Sequence, residues 1–583
     1  MSDDVFGYAL NVVRESGVAE LITDRYQATR RGPGGRHPRG VAYTATAVLA
    51  GLLIRIILKR PPTMAGALDT IAEFTPEQLT AVGMDGQNCA AVWEARHREY
   101  ARFSAWWARR LVPFDSWADL PARRMTNSVY RTLIDNRTDE QREQSLQAQR
   151  LLHVAINKLV AASVDEPQPK ACRGDLVVDG SLYVVAKAAS LGSADNKLRG
   201  AVACANFHIR TRKTTSGNES TTRITHAGMT VELTALTRVG SPSALHAVPP
   251  VFIGIAIHFA TAGSVAGLAD ALEQAENNGL IARPAGPRSR WPYLTFDMAY
   301  NNQDECAELL LKHRYNPVAR YPEPWGIECP STKPPGAPKS EPEPGPLQWA
   351  GAFYCPAVLP MIKGHRTPAM RHLLENDKFR HHDKRLRRIL PFLMGYNSRP
   401  FVADLGHGRP ALGRTRDQAV KIKLVCPAAM GHVKCPLKPE SMKSGPLGAP
   451  IAEPTWQAHE RACCARSSVT VTLTPAQLKR AQWDLVPGAW EHSTYFEACR
   501  AMTEQRFSQL KSAHVTGLNG SLTYGPRREP MIKLILAMAV VASNRASQMS
   551  HNPGAHRRES VDIRMRQLAH DLGHQPAKTP PRT

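Results

Sequence analysis

The amino-acid sequence predicts an α/β protein in which a mixed sheet is flanked by helices. Three observations support this class. Residues 1–165 show helical spacing of apolar residues, the segment from Asp175 onward alternates apolar strands with helices, and this alternation ends after Tyr321. The sequence therefore predicts an N-terminal helical region and an α/β region. A large insertion precedes the last helix of the α/β region.

The length of 583 residues exceeds that of one ordinary core, so several regions are expected. We place the boundaries between regions where the amino-acid composition and the pattern of apolar residues change. The predicted regions are the N-terminal helical region (1–165), the first part of the α/β domain (170–321), the insertion with a Pro-rich linker and cysteines (322–480), the last part of the α/β domain (481–545) and a basic, partly disordered tail (546–583).

The charge of the chain favours a polyanionic partner. Lys and Arg number 74 against 51 acidic residues, a formal net charge of +23, which suits nucleic acid or an anionic membrane surface. The most apolar segments are short or are interrupted by Arg55, His258 or Lys533, so no transmembrane helix is predicted. The first residues lack the basic start and apolar core of a secretion signal, so a reducing cytoplasm is expected.

Two segments of the N-terminal region combine basic residues with features suited to DNA. Residues 30–40, RRGPGGRHPRG, predict a basic loop. In RFSAWWARR, Trp106 and Trp107 lie among arginines, which suits contacts with bases and backbone as well as packing in a core. Core packing is the favoured interpretation of the tryptophan pair.

The first strand of the α/β region carries an isolated carboxylate. In DLVVDGSLYVVAK, Asp179 and Gly180 form a pair typical of a hairpin turn. A turn there would leave two strands of three or four residues, so we predict one continuous strand from Leu176 to Ala186. Gly180 then leaves space beside Asp179. By two-residue counting, Asp175 lies on the same face as Asp179, so it is an alternative to Asp179 as the functional carboxylate of this strand.

A second carboxylate follows a later strand. Strands are predicted at GMTVELTALT and VFIGIAIHFA, then a helix at GLADALEQAENNGLIA, and then the strand YLTFDMAY, which contains Asp297. Asn302 and Glu305 are placed to cap the next helix, so that helix does not require Asp297. A carboxylate at this end of an α/β strand lies where such sheets place their chemistry.

The third carboxylate lies on a helix beyond the insertion. In YFEACRAMTEQRFSQLK, helical spacing places Arg500, Glu504 and Lys511 on one narrow face. A surface helix with an i,i+4 ion pair gives the same pattern, so the argument depends on the combination with the two aspartates.

This combination resembles the DDE transposases of insertion sequences, whose catalytic domain is RNase H-like. In that family the first Asp lies on the opening strand, the second on the fourth strand and the Glu on a later helix. Residues 500–511 reproduce the R-x3-E-x6-K part of a Y-x2-R-x3-E-x6-K signature found in one subgroup. The tyrosine position is Glu497 here, and Tyr495 is the nearest substitute.

The resemblance implies a function and a set of roles. Asp179, Asp297 and Glu504 would be the catalytic residues and would hold two Mg²⁺ ions, for which Mn²⁺ substitutes. The DNA-binding residues would be Arg500, Lys511 and Tyr495. The implied activity is cleavage of double-stranded DNA at mobile-element ends and strand transfer into target DNA, by a cut-and-paste route and as a homodimer on DNA.

Two other functions stay open. One alternative to an active transposase is a catalytically silent, DNA-binding descendant of such an enzyme, and the other is an RNase H-like nuclease without strand transfer. No membrane partner is expected, and no nucleotide cofactor, because no Walker loop or dinucleotide fingerprint is present. The expected location is the cytoplasm of a prokaryote, in association with DNA.

The insertion contains a set of cysteines and a basic helix. Cys426, Cys435, Cys463 and Cys464 suit a structural zinc site, but the sequence contains no C-x2-C pair, which favours unpaired or buried thiols. Cys355 is isolated in the sequence. The segment KFRHHDKRLRRIL predicts a helix whose basic face either contacts the DNA backbone or is solvated.

Overall fold

A computed structural model describes most of the chain. The described residues are 3–29, 41–187, 198–199, 201–216, 219–282, 290–321, 325–333, 345–365, 367–405, 415, 418–444, 448–518, 521–552 and 560–582. The basic loop predicted at residues 30–40 lies outside them, as does most of the Pro-rich linker. Among the described residues, no helix is both long and apolar enough to cross a membrane.

The N-terminal region is helical, as the apolar periodicity predicts. Its elements are α1 (Asp3–Ser16), α2 (Val18–Ala28), α3 (Ala45–Ile57), α4 (Met64–Ala72), α5 (Pro76–Ala81), α6 (Ala90–Glu94), α7 (Arg96–Leu111), the short strand β1 (Met125–Thr126), α8 (Asn127–Asp135) and α9 (Asp139–Ala162). Thr138 and Gln141 form a capping box that starts α9. Trp107 is buried in the core and Trp106 stacks on it, which confirms core packing for Trp107.

The α/β region begins with a continuous strand. Its elements are β2 (Leu176–Lys187), β3 (Leu198–Arg199), β4 (Asn206–Ser216), β5 (Glu219–Arg238), β6 (Phe252–Phe259), α10 (Ser264–Asn277), β7 (Tyr293–Thr295), α11 (Met298–Asn301), α12 (Asp304–Lys312) and β8 (Asn316–Val318). The strand β2 passes through the Asp-Gly pair without a turn, as predicted.

One mixed sheet unites these strands. In space, β6 lies beside β5, followed by β2, β7 and β8, and β4 pairs with the first half of β5. The strands β2, β5 and β6 are antiparallel neighbours, whereas β7 and β8 run parallel to β2. The mixed α/β class predicted from the sequence is therefore confirmed.

The insertion folds around a small sheet of its own. Its elements are β9 (Leu347–Trp349), β10 (Ala352–Tyr354), α13 (Leu359–Ile362), α14 (Met370–Glu375), α15 (Phe379–Ile389), β11 (Gly395–Tyr396), β12 (Phe401–Val402), β13 (Val420–Val425), α16 (Pro439–Ser444), α17 (Ala462–Ala465), β14 (Ser468–Leu473) and α18 (Pro475–Arg480). The strands β11, β12 and β14 all pair with β13. The predicted basic helix is α15, which buries one face and exposes most of its basic residues.

Four helices complete the chain: α19 (Trp490–Lys511), α20 (Ser521–Tyr524), α21 (Glu529–Ser550) and α22 (Ser560–Leu572). The helix α21 is buried over most of its length. The Asn544 side chain accepts from the Phe252 N–H (2.8 Å) and donates to the Phe252 carbonyl oxygen (2.8 Å), so α21 is attached to β6. The N-terminal helices, α21 and the sheet share one hydrophobic core, so the N-terminal helices are not a separate unit.

The described part of the tail packs against the rest of the protein. Its apolar residues Leu568 and Leu572 are buried on α22, which packs against α19. The Arg582 guanidinium donates to the Tyr396 hydroxyl over 2.6 Å, and the Ala577 N–H donates to Asp383 over 2.7 Å. These contacts attach the described part of the tail to the insertion.

Candidate active site

The register of the sheet brings the two predicted aspartates together. In the parallel pair of β2 and β7, Val177 lies beside Thr295. Asp179 lies two residues further along β2, and Asp297 lies two residues beyond the end of β7. Asp179 therefore shares the face of Val177, and Asp297 lies close enough for its charge to raise the pKa of Asp179.

Asp179 is a largely buried acid. Its side chain is 14% exposed and lies 3.1 Å from Nη1 of Arg500, and the Gly180 N–H donates to its Oδ1 over 2.9 Å. Burial raises the pKa of Asp179, and the negative charge of Asp297 adds to that rise, while Arg500 opposes it. The charged form of Asp179 therefore requires a cation beside it.

Asp297 has a structural contact that the sequence did not predict. Its Oδ1 accepts from the Ala299 N–H over 2.9 Å, so Asp297 is the N-cap of α11. The prediction that Asn302 caps the following helix is wrong, because Asn302 ends α11 and Gln303 precedes α12. The strand predicted to run through Asp297 to Tyr300 ends at Thr295, and Met298–Asn301 form α11, which has too few residues for a periodic signal.

Glu504 approaches the cluster from α19 through Arg500, and its side chain is 62% exposed. Thr503, the preceding residue, approaches Thr237 of β5 with 3.3 Å between the hydroxyl oxygens. Nη2 of Arg500 lies 3.1 Å from Oε1 of Glu504, one turn along the helix. Burial alone would lower the pKa of Arg500, but the charges of the three carboxylates raise it. One guanidinium therefore interacts with Asp179, Asp297 and Glu504.

The donor set suits a hard divalent cation. Carboxylate oxygens are the ligands that Mg²⁺ prefers in proteins. In the described residues, no group of three or more His, Cys, Asp or Glu side chains is placed closely enough to hold a metal ion. Arg500 bridges Asp179 and Glu504, so the positive charge that these carboxylates require is supplied by the protein itself.

Glu232 and Tyr300 lie near Asp179, and the sequence did not predict either. A Cβ added at Gly180 would collide with Oε1 of Glu232, so Gly180 makes room for this carboxylate. Because Gly180 follows Asp179 on β2, Gly180 and Glu232 lie on the opposite face of the sheet from Asp179. The Glu232 Oε2 accepts from the Thr261 N–H over 2.7 Å. The buried Tyr300 hydroxyl interacts electrostatically with Asp179 and Glu232. A single Glu within the apolar strand GMTVELTALT was the available signal for Glu232.

Asp175, the rival of Asp179, has a structural role. Its side chain is fully buried, accepts from the Tyr293 N–H over 2.7 Å and lies 3.1 Å from Nη2 of Arg290. These contacts attach the start of β2 to the start of β7 and satisfy the carboxylate.

We expect Asp175→Asn to lower the free energy of unfolding by about 1.5–3 kcal/mol, the usual contribution of a hydrogen bond to a charged group. The amide keeps one acceptor oxygen for Tyr293 but loses the charge that faces Arg290. Urea unfolding followed by circular dichroism checks this value. An unchanged unfolding midpoint would show that the ion pair contributes nothing.

The predicted DNA-binding residues occupy different environments. Tyr495 is fully buried and its hydroxyl donates to the Gly240 carbonyl oxygen over 3.0 Å, so its position does not fit a contact with DNA. Lys511 is exposed at the end of α19, with its Nζ 5.1 Å from the centre of the Tyr183 ring. Arg500 lies within the carboxylate cluster.

The predicted zinc cysteines also converge. Cys426, Cys435, Cys463 and Cys464 are buried and line one cavity of the insertion. Cys355, isolated in the sequence, lines the same cavity.

Comparisons of this chain with protein-family models, with curated proteins and with solved structures found no match.

Proposed function

We propose that the chain is a transposase of the DDE class, which cuts DNA at the ends of a mobile element and joins those ends to target DNA. The observation that carries this proposal is the convergence of Asp179, Asp297 and Glu504 on Arg500. These acids come from widely separated parts of the chain, so their convergence requires the folded protein.

The sheet supports an RNase H-like catalytic domain. If the hairpin strand β4 and the two-residue strand β3 are set aside, β2 is the opening strand of the sheet and β7 is the fourth. Asp179 lies on the opening strand and Asp297 follows the fourth, which is the order that the transposase resemblance implies. The insertion separates these strands from the Glu504 helix, as the same resemblance implies.

The three carboxylates would hold two Mg²⁺ ions, or Mn²⁺ in their place. When bound, such ions activate a water or a DNA 3′-hydroxyl and stabilise the departing 3′-oxygen. The protein's own contribution is to align the acids and to place the Arg500 guanidinium beside them. Asp297 is aligned by the Ala299 N–H, and Asp179 by the Gly180 N–H.

Arg500 has two roles in this proposal. Without DNA its guanidinium neutralises Asp179 and Glu504. With metal ions in the site, the carboxylates would be neutralised by those ions. The Arg500 guanidinium would then be available to bind a DNA phosphate as a bidentate donor. The formal charge of +23 favours the approach of DNA over the whole surface.

We expect Lys511→Ala to weaken binding to element-end DNA and to reduce the slope of log K against log salt by about 1, because one phosphate contact is lost. Fluorescence anisotropy over a range of salt concentrations measures this slope. Lys443→Ala is the matched control, because Lys443 is an exposed lysine of the insertion and pairs with Glu440. Equal slopes for Lys511→Ala and wild type would show that Lys511 does not contact a DNA phosphate.

Two alternatives predict different outcomes. A silent descendant would bind element ends without cutting them, and a nuclease would cut DNA without joining it. Short inverted repeats that flank the coding region, with duplicated target bases outside them, would favour a mobile element over both. The proposed location is the cytoplasm of a prokaryote, with a homodimer assembled on DNA.

The test is an in vitro reaction of the purified protein with a labelled DNA fragment that spans one element boundary, a target plasmid and Mg²⁺. We expect cleavage at the boundary and a joined product that contains label and plasmid. A fragment with a scrambled terminal sequence is the control. Binding without cleavage supports the silent descendant, and equal cleavage of both fragments without joining supports the nuclease.

A further inference from the structure

We propose that the insertion holds one structural zinc ion, bound by the thiolates of Cys355, Cys426, Cys435 and Cys464. Four segments supply these residues. Cys355 follows β10, Cys426 follows β13, Cys435 lies in the loop after β13 and Cys464 lies on α17. The inference is independent of the transposase proposal, because it concerns a different part of the chain.

The first supporting observation is convergence. Cys355, Cys426, Cys435, Cys463 and Cys464 line one small, mostly apolar cavity, although they are spread over more than a hundred positions of the sequence. The sequence contains 11 cysteines, so nearly half of them meet at one place in the fold. Four thiolates are a common ligand set for structural zinc.

The second observation is the anchoring of the backbone at three of these cysteines. The Cys355 N–H donates to the Phe392 carbonyl oxygen over 2.9 Å, and the Cys426 N–H donates to the Ser467 carbonyl oxygen over 2.9 Å. The Cys435 N–H donates to the Ser441 hydroxyl over 2.9 Å. These bonds fix the positions of three proposed ligands on the wall of the cavity.

Cys464 has a side-chain donor of its own. The Trp456 indole N–H donates to its sulfur over 3.4 Å and orients it. Cys464 is therefore assigned as the ligand of the adjacent pair, with Cys463 beside it.

A zinc ion bound by these cysteines would also stabilise the packing of the insertion against α19. Cys355, Cys426 and Cys435 belong to the hydrophobic cluster that contains Trp490, the first residue of α19. A metal that joins four segments of the insertion would therefore stabilise the surface on which the Glu504 helix begins. The sulfur atoms are not closed around a common centre in this structure, so metal binding requires side-chain rotations at these positions.

The experiment measures metal in the full-length protein, purified under reducing conditions without chelators. We expect one zinc per chain by elemental analysis. After removal of the zinc, titration with Co²⁺ should give the absorption bands of a tetrahedral cobalt thiolate, with saturation at one equivalent. Absence of these bands in the wild-type protein would overturn the proposal, and this readout needs no variant.

Variants then test the ligand assignment. Cys355→Ser and Cys435→Ser should each lose the metal, or bind it at least about tenfold more weakly. Cys463→Ser should retain one zinc per chain, and so should Cys306→Ser, the control at a buried cysteine of α12. Full retention of zinc by Cys355→Ser would overturn the proposed site.

Discussion

Asp179→Asn, Asp297→Asn and Glu504→Gln are each expected to reduce cleavage at the element end by at least about a hundred-fold. A metal-dependent displacement draws several kcal/mol of transition-state stabilisation from its ions, and a loss of about 3 kcal/mol corresponds to this factor. Each variant removes one negatively charged ligand from the cluster around Arg500. The measurement is the initial rate of boundary cleavage in the presence of Mg²⁺.

The same variants should keep their fold and their affinity for DNA. Burial already disfavours the charged form of Asp179, so a neutral amide at this position does not add a new desolvation cost. A loss of activity in these variants therefore reports on the chemistry. Thermal unfolding and anisotropy on the same preparations check both points.

Matched controls lie close to each acid. Asp304 lies seven residues after Asp297, and its exposed carboxylate pairs with Lys479. Asp304→Asn removes this carboxylate. Glu497→Gln alters the same helix as Glu504, where Glu497 accepts from the Arg371 N–H over 3.3 Å. Both controls should cleave at the wild-type rate. Wild-type rates in the three cluster variants would exclude the proposed triad.

Asp383→Ala is expected to lower the free energy of unfolding by about 3–5 kcal/mol, the usual effect of removing one partner from a buried ionic network. Asp383 is 1% exposed and accepts from the Trp490 indole N–H over 2.9 Å and from the Ala577 N–H over 2.7 Å. It also pairs with Arg387, with 2.8 Å between Oδ2 and Nε. One carboxylate thus connects the insertion with the Glu504 helix and the tail.

Urea unfolding with circular dichroism and Trp fluorescence measures this effect, because Trp490 lies inside the network. Lys384→Ala is the control, since Lys384 is the exposed neighbour on the same helix. If Asp383→Ala unfolds at the same urea concentration as the control, the network does not hold these three parts together.

The sequence was most informative where a residue depends on a long regular element. The strand through Asp179 and the helix through Glu504 were both predicted, because each is long, with 12 and 22 residues, and the helix has no breaker before Gly517. The sequence also predicted the strand that precedes Asp297, but extended it wrongly to Tyr300. The approach of Glu504 to the aspartates rested on the family resemblance, and the structure supplies the ion pairs with Arg500.

The structural features that the sequence did not predict depend on contacts between residues that are distant in the chain. The burial of Tyr495 follows from the packing of α19 against Tyr293 and Gly240, neither of which is near it in sequence. Glu232 packs against Gly180 of the neighbouring strand, and the register of two strands cannot be read from one strand alone. Cys355 joins the other cysteines because β10 ends beside their cavity.

The central claim is that Asp179, Asp297 and Glu504 together hold two catalytic metal ions. Isothermal titration calorimetry with Mn²⁺ on the complex of the protein with precut element-end DNA tests this claim most directly. We predict two bound ions per active site in the wild type and in Asp304→Asn, and fewer in each of the three cluster variants. The same stoichiometry and affinity in all five proteins would contradict the account.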